Sequence, residues 1–513
     1  MNTFMLLLPE TLLLVFAFLV FALDMIWKTR EGNQANTLAV IALIGALSAF
    51  VATVFVWTQA NSGAVQLAVI ATDPDGQVPM LAMDGFAMFF KLYATLTVAL
   101  VGLLATDYVR QKIQFPGEFY ALMLLAGLSL MLVASSTNLV MIFLAFEFLS
   151  ITSYLLTGYM RDNEFSIEAA LKYFLYGSVA SAVMLFGFSL IYGATGSLDL
   201  HGIAEAFVTA DPTITHVLAI PALVLIIVGL GFKIALVPFH QWSPEAYQGA
   251  PTPVTAFLSV GPKASGFALM VRVLTVAFPA FATVASTNWV LLLMGISILT
   301  MTFGNVVAMW QKDIKRLFAY SSIAQVGYML IGVIAIAPQY IGGSGTVTGW
   351  AQGLNGLLLF LFGYLFTNLG AFAIILAVEN KTGSTDLDAY DGLIKRSPYL
   401  ASAFVIFLLS LIGIPPTAGF MGKLLVFGAA VEQQMYVLAA IGVFNSVISL
   451  YYYFGIARKM FFSPAPDDTP ITVSGSLGTV VAVSMVLVLA IAIFAQPFLN
   501  LVNSSTQILA STF

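Results

Sequence analysis

The chain is built from apolar stretches long enough to cross a bilayer, and lysine or arginine follows only alternate ones. A hydrocarbon core needs about 20 apolar residues per helix. Such stretches fall at 3–27, 36–58, 82–106, 118–135, 138–159, 166–193 and 214–238. They continue at 251–277, 287–309, 314–336, 352–378, 398–432, 435–459 and 474–500. Lys28 and Arg30 follow the first, Arg110 and Lys112 the third, and Arg161 the fifth. Lys312, Lys315 and Arg316 follow the ninth, Lys381, Lys395 and Arg396 the eleventh, and Arg458 and Lys459 the thirteenth. The even-numbered loops hold acids instead: Asp73, Asp75, Asp199, Glu205 and Asp211. The positive-inside bias then places the odd loops in the cytoplasm and both termini outside. One helix too many or too few would break this alternation halfway, so the charges support a count of about fourteen independently of hydropathy.

Composition sets the class. Of 513 residues, 60% are hydrophobic and 8% charged, against about 25% charged in soluble proteins. The chain is expected to be an all-α integral membrane protein. It has no cysteine, which excludes disulfides, thiolate zinc sites and cysteine-ligated iron–sulfur clusters in this chain. Three histidines, His201, His216 and His240, argue against a haem or metal centre. No basic block points to nucleic acid. The N-terminal MNTFMLLLPETLLLVFAFLVFALDM lacks a basic n-region and is long enough to span, so it does not read as a cleaved leader. In the loop 379–399, Asp386, Asp388 and Asp391 lack the glycine and distal glutamate register of a calcium loop; they read as a solvated loop or subunit contact.

Lys91, Lys172, Lys233, Lys263, Arg272 and Lys423 fall inside spans, and so does Glu147. A charge at the centre of a membrane helix costs about 3 kcal/mol on insertion scales, so such residues point to function. Arg272 lies near the outer end of its span, where it can snorkel; Lys91 is left open. Lys172 and Glu168 are four apart on one helix face, either as an interfacial pair or with Lys172 supporting proton uptake. Glu147 reads either as a buried acid satisfied by a hydroxyl or as the counter-ion of Lys233, two spans later at similar depth. Burial disfavours the charged form of each, and pairing favours it. Such a pair is a coupled, switchable proton site.

Lys233 stands in GLGFKIALVPFHQWSPE, where Gly229, Gly231 and Pro238 interrupt the seventh helix. Interrupted backbone is tolerated at membrane depth only against protein or water, and broken helices beside ionisable residues mark transporter sites. His240 follows Pro238 and reads as a proton relay or a plain interfacial residue. Lys263 is flanked by Gly261, Pro262 and Gly266. In the twelfth span, GIPPTAGFMGK sets Pro415, Pro416, Gly419 and Gly422 before Lys423. Spans 4–8 and 9–13 form two five-helix blocks. Five is odd, so the second enters from the opposite side as an inverted repeat, with a broken, lysine-bearing helix in fourth position of each. The divisions expected are 1–117, 118–277, 287–459 and 460–513, the last a C-terminal transmembrane helix. The symmetry is incomplete: span 10 offers Gln325 and Tyr328 where span 5 has Glu147, and span 13 has Asn445 and Ser446 where span 8 has Lys263.

KIALVPFHQWSPEAYQGAPTPVTAFLSVGPK resembles the signature of the antiporter-like subunits of respiratory complex I, and the resemblance runs over essentially the whole chain. LIGIPPTAGFMGK ends in lysine, as in the N-type pattern, where the M-type pattern has glutamate. The chain also ends after span 14, without the long lateral helix of the L-type. The resemblance implies that Glu147, Lys233, Lys263 and Lys423 carry protons, in response to NADH:quinone electron transfer in other subunits. It places FMN, iron–sulfur clusters and quinone in those subunits and no cofactor in this chain. It implies other membrane-arm subunits as partners, M-type and K-type neighbours among them, and a bacterial plasma membrane. The alternatives are a Na⁺/H⁺ antiporter subunit of the same fold and a structural assembly subunit.

Overall fold

The structure, a computed structural model, describes residues 3–27, 32–61, 69–71, 79–209, 212–282, 289–336, 350–465 and 469–511. Lys28, Arg30, Asp73, Asp75 and Asp211, and the side chain of His216, lie outside the described residues. Among the described residues, 13 helices are long and apolar enough to cross a membrane. They coincide with 13 of the expected spans; the remaining one, 398–432, is a helix broken into two halves.

The helices are α1 (Leu8–Ile26), α2 (Gly32–Asn61), α3 (Gly85–Lys112), α4 (Pro116–Ser135), α5 (Leu139–Thr157) and α6 (Glu164–Thr195). A short α7 (Leu200–Thr209) precedes α8 (Pro212–Ile234), α9 (Trp242–Gly249) and α10 (Thr252–Arg272). Then come α11 (Trp289–Ala308), α12 (Ile314–Ile334), α13 (Trp350–Thr382), α14 (Pro398–Ile412) and α15 (Ala418–Glu432). The chain closes with α16 (Tyr436–Phe462), α17 (Gly475–Ile493) and α18 (Ala495–Ser511). The last span is therefore shorter than expected. It ends at Ile493, and a separate α18 packs on α3 and α13. A two-stranded ribbon, Val69–Ala71 with Pro79–Ala82, is the one sheet among the described residues.

Burial sorts the helices. The spanning stretches of α10 and α13 are wholly buried, and α12 nearly so. These three pack on one another and form the axis of the bundle. The outer helices turn large apolar side chains outward, among them Phe18, Phe174, Val179, Leu291 and Phe444, as a chain dissolved in lipid should. At one end, ion pairs join the loops and helix ends that carry the cations. Lys112 meets Glu379 at 3.6 Å, Arg161 meets Glu118 at 3.4 Å, and Lys459 meets Asp388 at 2.6 Å. The Lys459 ammonium holds the Asp388 carboxyl below its usual range. Asp388 and Asp391 thus serve a loop-to-helix clasp.

Arg272, expected near the outer end of its span, and Lys91, left open by the sequence, are both buried. Arg272 does not snorkel. It is 3% exposed and grips Asp84 with two bonds, of 2.9 and 3.0 Å, while its Nε donates to the Ala134 carbonyl at 3.1 Å. Asp84 also caps α3 by accepting from the Ala87 N–H at 2.7 Å. A planar guanidinium that finds a two-oxygen partner within the bundle has no reason to reach for the interface. Lys91, 0% exposed, pairs with Glu10 at 2.7 Å and so ties α3 to α1. Removing one member of a buried pair strands the other and costs about 3–5 kcal/mol. Arg272→Met should therefore lower the melting temperature of the purified protein, and Arg272→Met/Asp84→Asn should recover part of the loss. Equal melting of the single and double variants would show that the pair is not what the single change breaks.

Candidate functional site

Helix α8 ends at Ile234, and Ala235 takes a positive φ of 61°. Pro238 has no N–H to continue the ladder. The chain does not leave the bundle here, contrary to the sequence reading. It crosses residues 235–241 and resumes as α9, whose Trp242, Ala246 and Tyr247 are fully buried against α6 and α12. The break exposes carbonyls and N–H groups that lipid cannot satisfy. Trp242 Nε1 caps the Phe232 carbonyl at 2.7 Å, and the Val237 N–H donates to Thr300 Oγ1 at 3.1 Å. His240 sits in this crossing, 8% exposed, with its ring 4.6 Å from that of Phe303.

The second break follows the Pro-Pro signal. Helix α14 stops at Ile412, Gly413 turns with φ 91°, and α15 begins at Ala418. The Leu411 and Ile412 carbonyls then lack intrahelical partners. Lys423 Nζ donates to both, at 2.9 and 2.8 Å, and Gln325 Nε2 donates to Leu411 at 2.8 Å. A cation at a helix C-terminus is also favoured by the helix dipole. Each break carries a cis X-Pro bond, Val237–Pro238 and Pro415–Pro416. The two lysines nonetheless stand on opposite sides of their breaks: Lys233 in the last turn before the gap, Lys423 in the half-helix after it.

Lys233, Lys263 and Lys423 are each at most 4% exposed. Lys233 Nζ donates to Ser150 Oγ at 2.8 Å and stands 4.8 Å from the centre of the Phe146 ring. Lys263 Nζ donates to Ser322 Oγ at 2.5 Å, with the Tyr247 ring 5.6 Å away. Lys423 lies 4.4 Å from the Tyr328 ring. Hydroxyls, carbonyls and ring faces thus hold all three cations. Among the described residues none of the three meets a carboxylate within 4.0 Å. The expected Glu147–Lys233 ion pair is not formed. Glu147, half-buried on α5, accepts instead from the Ser181 hydroxyl of α6. Each charge is thus bonded to a serine, Lys233 to Ser150 and Glu147 to Ser181.

The sites are linked by packing. Helix α10 runs unbroken through Pro262. Gly266, one turn past Lys263, lets the Lys233 stem approach; a Cβ there would lie 3.6 Å from the Lys233 Cβ and would strike Ile234. From Lys263 to Lys423 the contacts run along α12, through Ser322, Ser321, Gln325 and Tyr328. Lys172 keeps its expected pair with Glu168 at 2.6 Å and gains a second, Glu245 of α9, at 3.3 Å. Glu245 also meets Arg316 at 3.0 Å, so the short half-helix is clamped between α6 and α12.

Sequence reasoning weighed charges and missed the neutral groups. Ser150, Ser181, Ser322, Asn305, Tyr452 and Tyr453 were not singled out, because hydroxyls and amides are common in membrane helices. The one available signal was their position on helices at the depth of the lysines. Asn445, noted where span 8 has Lys263, does contact this group, with its carbonyl 3.2 Å from Asn305 Nδ2.

The family described as NADH:quinone oxidoreductase/Mrp antiporter, TM, matches residues 136–449. NADH-quinone oxidoreductase subunit N of Chlorobium chlorochromatii is 40% identical over 463 residues, 88% of this chain and 84% of that protein. A chain of respiratory complex I from Thermus thermophilus is 32% identical with a TM-score of 0.75, over 96% of this chain and 98% of that one. A chain of the Mrp complex from Dietzia sp. superposes with a TM-score of 0.82 at 22% identity, over 98% of this chain and 97% of that one, a likeness of fold alone. On the family match and on the two relatives above 30% identity, the chain belongs to the NADH:quinone oxidoreductase/Mrp antiporter transmembrane family.

Proposed function

We propose that the chain is the N-type membrane-arm subunit of a proton-translocating NADH–quinone oxidoreductase. The observation that carries this reading is a contrast between two kinds of buried cation. Lys91 and Arg272 are neutralised by carboxylates, as structural charges are. Among the described residues Lys233, Lys263 and Lys423 are held by neutral groups, the first two on α8 and α10, which pack on each other, and the third on α15, which reaches α10 through α12. A lysine that can gain or lose a proton without disrupting an ion pair suits transport. Glu147–Lys233 would take up protons on the cytoplasmic side, Lys263 would pass them on, and Lys423 would release them outward. Lys172 would support uptake through the Glu245 clamp, and His240 through its place in the first break.

Moving one charge against 100 mV costs about 2.3 kcal/mol, and two pKa units are worth about 2.7 kcal/mol. Opening and closing the Glu147–Lys233 pair is of that order. The arrangement described is the open one, in which each member rests on a serine. Closing exchanges two serine contacts for one ion pair. The units 118–277 and 287–459 serve as inverted halves, with 1–117 and 460–513 flanking them. Redox groups reside in other subunits, M-type and K-type neighbours adjoin this one, and both termini face the periplasm of a bacterial plasma membrane. Sodium favours several oxygen ligands, and the mid-membrane charges here are mostly lysines, which speaks for protons over a Na⁺/H⁺ exchanger.

In the assembled complex reconstituted in vesicles, Lys233→Ala and Glu147→Gln should each lower NADH-driven proton uptake severalfold; wild-type pumping by both would overturn the assignment. A Lys233→Ala/Lys423→Ala variant that assembled and pumped normally would establish a structural subunit instead. Gly413→Ala puts a Cβ at a positive φ and 2.8 Å from the Lys423 Cδ. It should reproduce the pumping defect of Lys423→Ala with assembly retained. The chain has no cysteine, so single cysteines report topology cleanly. Arg161→Cys should react with an impermeant maleimide from the cytoplasmic face and Glu205→Cys from the outer face. The reverse pattern would invert the path.

A further inference from the structure

Lys263 and Lys423 both lie against α12, yet the polar groups between them change character partway. Near Lys263 they are hydroxyls. Ser322 Oγ meets Lys263 and lies 3.3 Å from the Tyr247 hydroxyl. The adjacent Ser321 Oγ lies 2.5 Å from the Tyr453 hydroxyl, and the Tyr453 ring is 4.3 Å from that of Tyr452. Beyond Tyr452 the groups are amides. The Tyr452 hydroxyl donates to Asn305 Oδ1 at 2.9 Å, and Asn305 Nδ2 donates to the Tyr328 hydroxyl at 2.7 Å, beneath Lys423. Carbonyls only accept. The Met301 and Asn445 carbonyls, 2.9 and 3.2 Å from Nδ2, therefore fix which way the Asn305 amide faces. One turn past Ser321, Gln325 Nε2 donates to the Leu411 carbonyl, which also takes Lys423. Both amides are at most 1% exposed.

A hydroxyl passes a proton by accepting on a lone pair and releasing its own. An amide nitrogen has no free lone pair, because it is delocalised into the carbonyl, and its N–H groups are donors only. Relay through it demands a high-energy tautomer. We propose that Asn305 and Gln325 form a proton-insulating partition between the Lys263 hydroxyl cluster and Lys423. They are positioning residues that keep the outlet from being loaded, or from leaking back, until the partition is rearranged. This rests on the reading of Lys423 as the outlet. It distinguishes these amides from the simple helix-to-helix glue that buried polar groups often supply.

The test uses the assembled complex in vesicles, with an imposed potassium diffusion potential, a pH-sensitive dye and no NADH. A carboxylic acid has nearly the shape of the amide but accepts a proton on one oxygen and releases it from the other. Asn305→Asp and Gln325→Glu should therefore raise passive proton flux severalfold, and adding Lys423→Ala should return it to the wild-type level. Asn305→Leu, with similar bulk and no relay, should stay at the wild-type level. Acid variants that assemble without extra flux would overturn the partition, as would equal leak in Asn305→Leu or leak that survives Lys423→Ala. Failure of both acid variants to assemble would assign the amides to packing and likewise overturn it. Wild-type pumping by Lys423→Ala alone would instead remove the outlet reading, so the two failures are distinguishable.

Discussion

Every carbonyl and N–H inside a membrane must find a partner in the protein. The site follows from the two places where this chain interrupts that rule. Each break frees backbone groups, and the protein answers with side chains that cannot then be elsewhere. Trp242 is drawn onto the end of α8, which seats α9 and with it Tyr247 beneath Lys263. Lys423 and Gln325 are drawn onto the end of α14, which brings α12 and α15 together. The lysine at the second break thus caps a helix end, its Nζ donating to the Leu411 and Ile412 carbonyls. Chemistry and packing are coupled at that point by backbone geometry alone.

The protein also separates two uses of buried charge. Glu10–Lys91 ties α1 to α3, and Asp84–Arg272 ties the start of α3 to the end of α10, both with compensated ions. The remaining deep lysines are left to serines, carbonyls and rings. A compensated cation is fixed in charge, whereas one held by neutral groups responds to whatever approaches it. Glu147 rests on the Ser181 hydroxyl of α6, likewise held by a neutral group.

Most of the span pattern was legible because the membrane imposes it: apolar length gives the helix. The Pro-Pro break was legible since two prolines and several glycines leave little else possible. The first break was only half legible. Pro238 signalled an interruption, but Trp242 and Tyr247 look like the aromatic residues of an interface, and only packing against α6 and α12 reveals a second half-helix. Arg272 was misjudged because its partner Asp84 lies 188 residues earlier and looks like an ordinary helix cap. Gln325 and Asn445 were legible as counterparts of charged positions in the other repeat, whereas Ser150, Ser181, Ser322 and Asn305 were not, for an energetic reason: a neutral polar group costs little in a helix, so its presence signals nothing until distances place it beside a lysine.

The two ends of the bundle are fastened differently, and dissolved ions should therefore act on them unequally. Glu10–Lys91 and Asp84–Arg272 are sealed from solvent, where mobile salt hardly reaches. The Lys172–Glu245–Arg316 clamp on α9 is about one-third exposed and is open to screening. The ionic atmosphere on that side therefore bears on the half-helix beneath Lys263, while the opposite end stays indifferent to it.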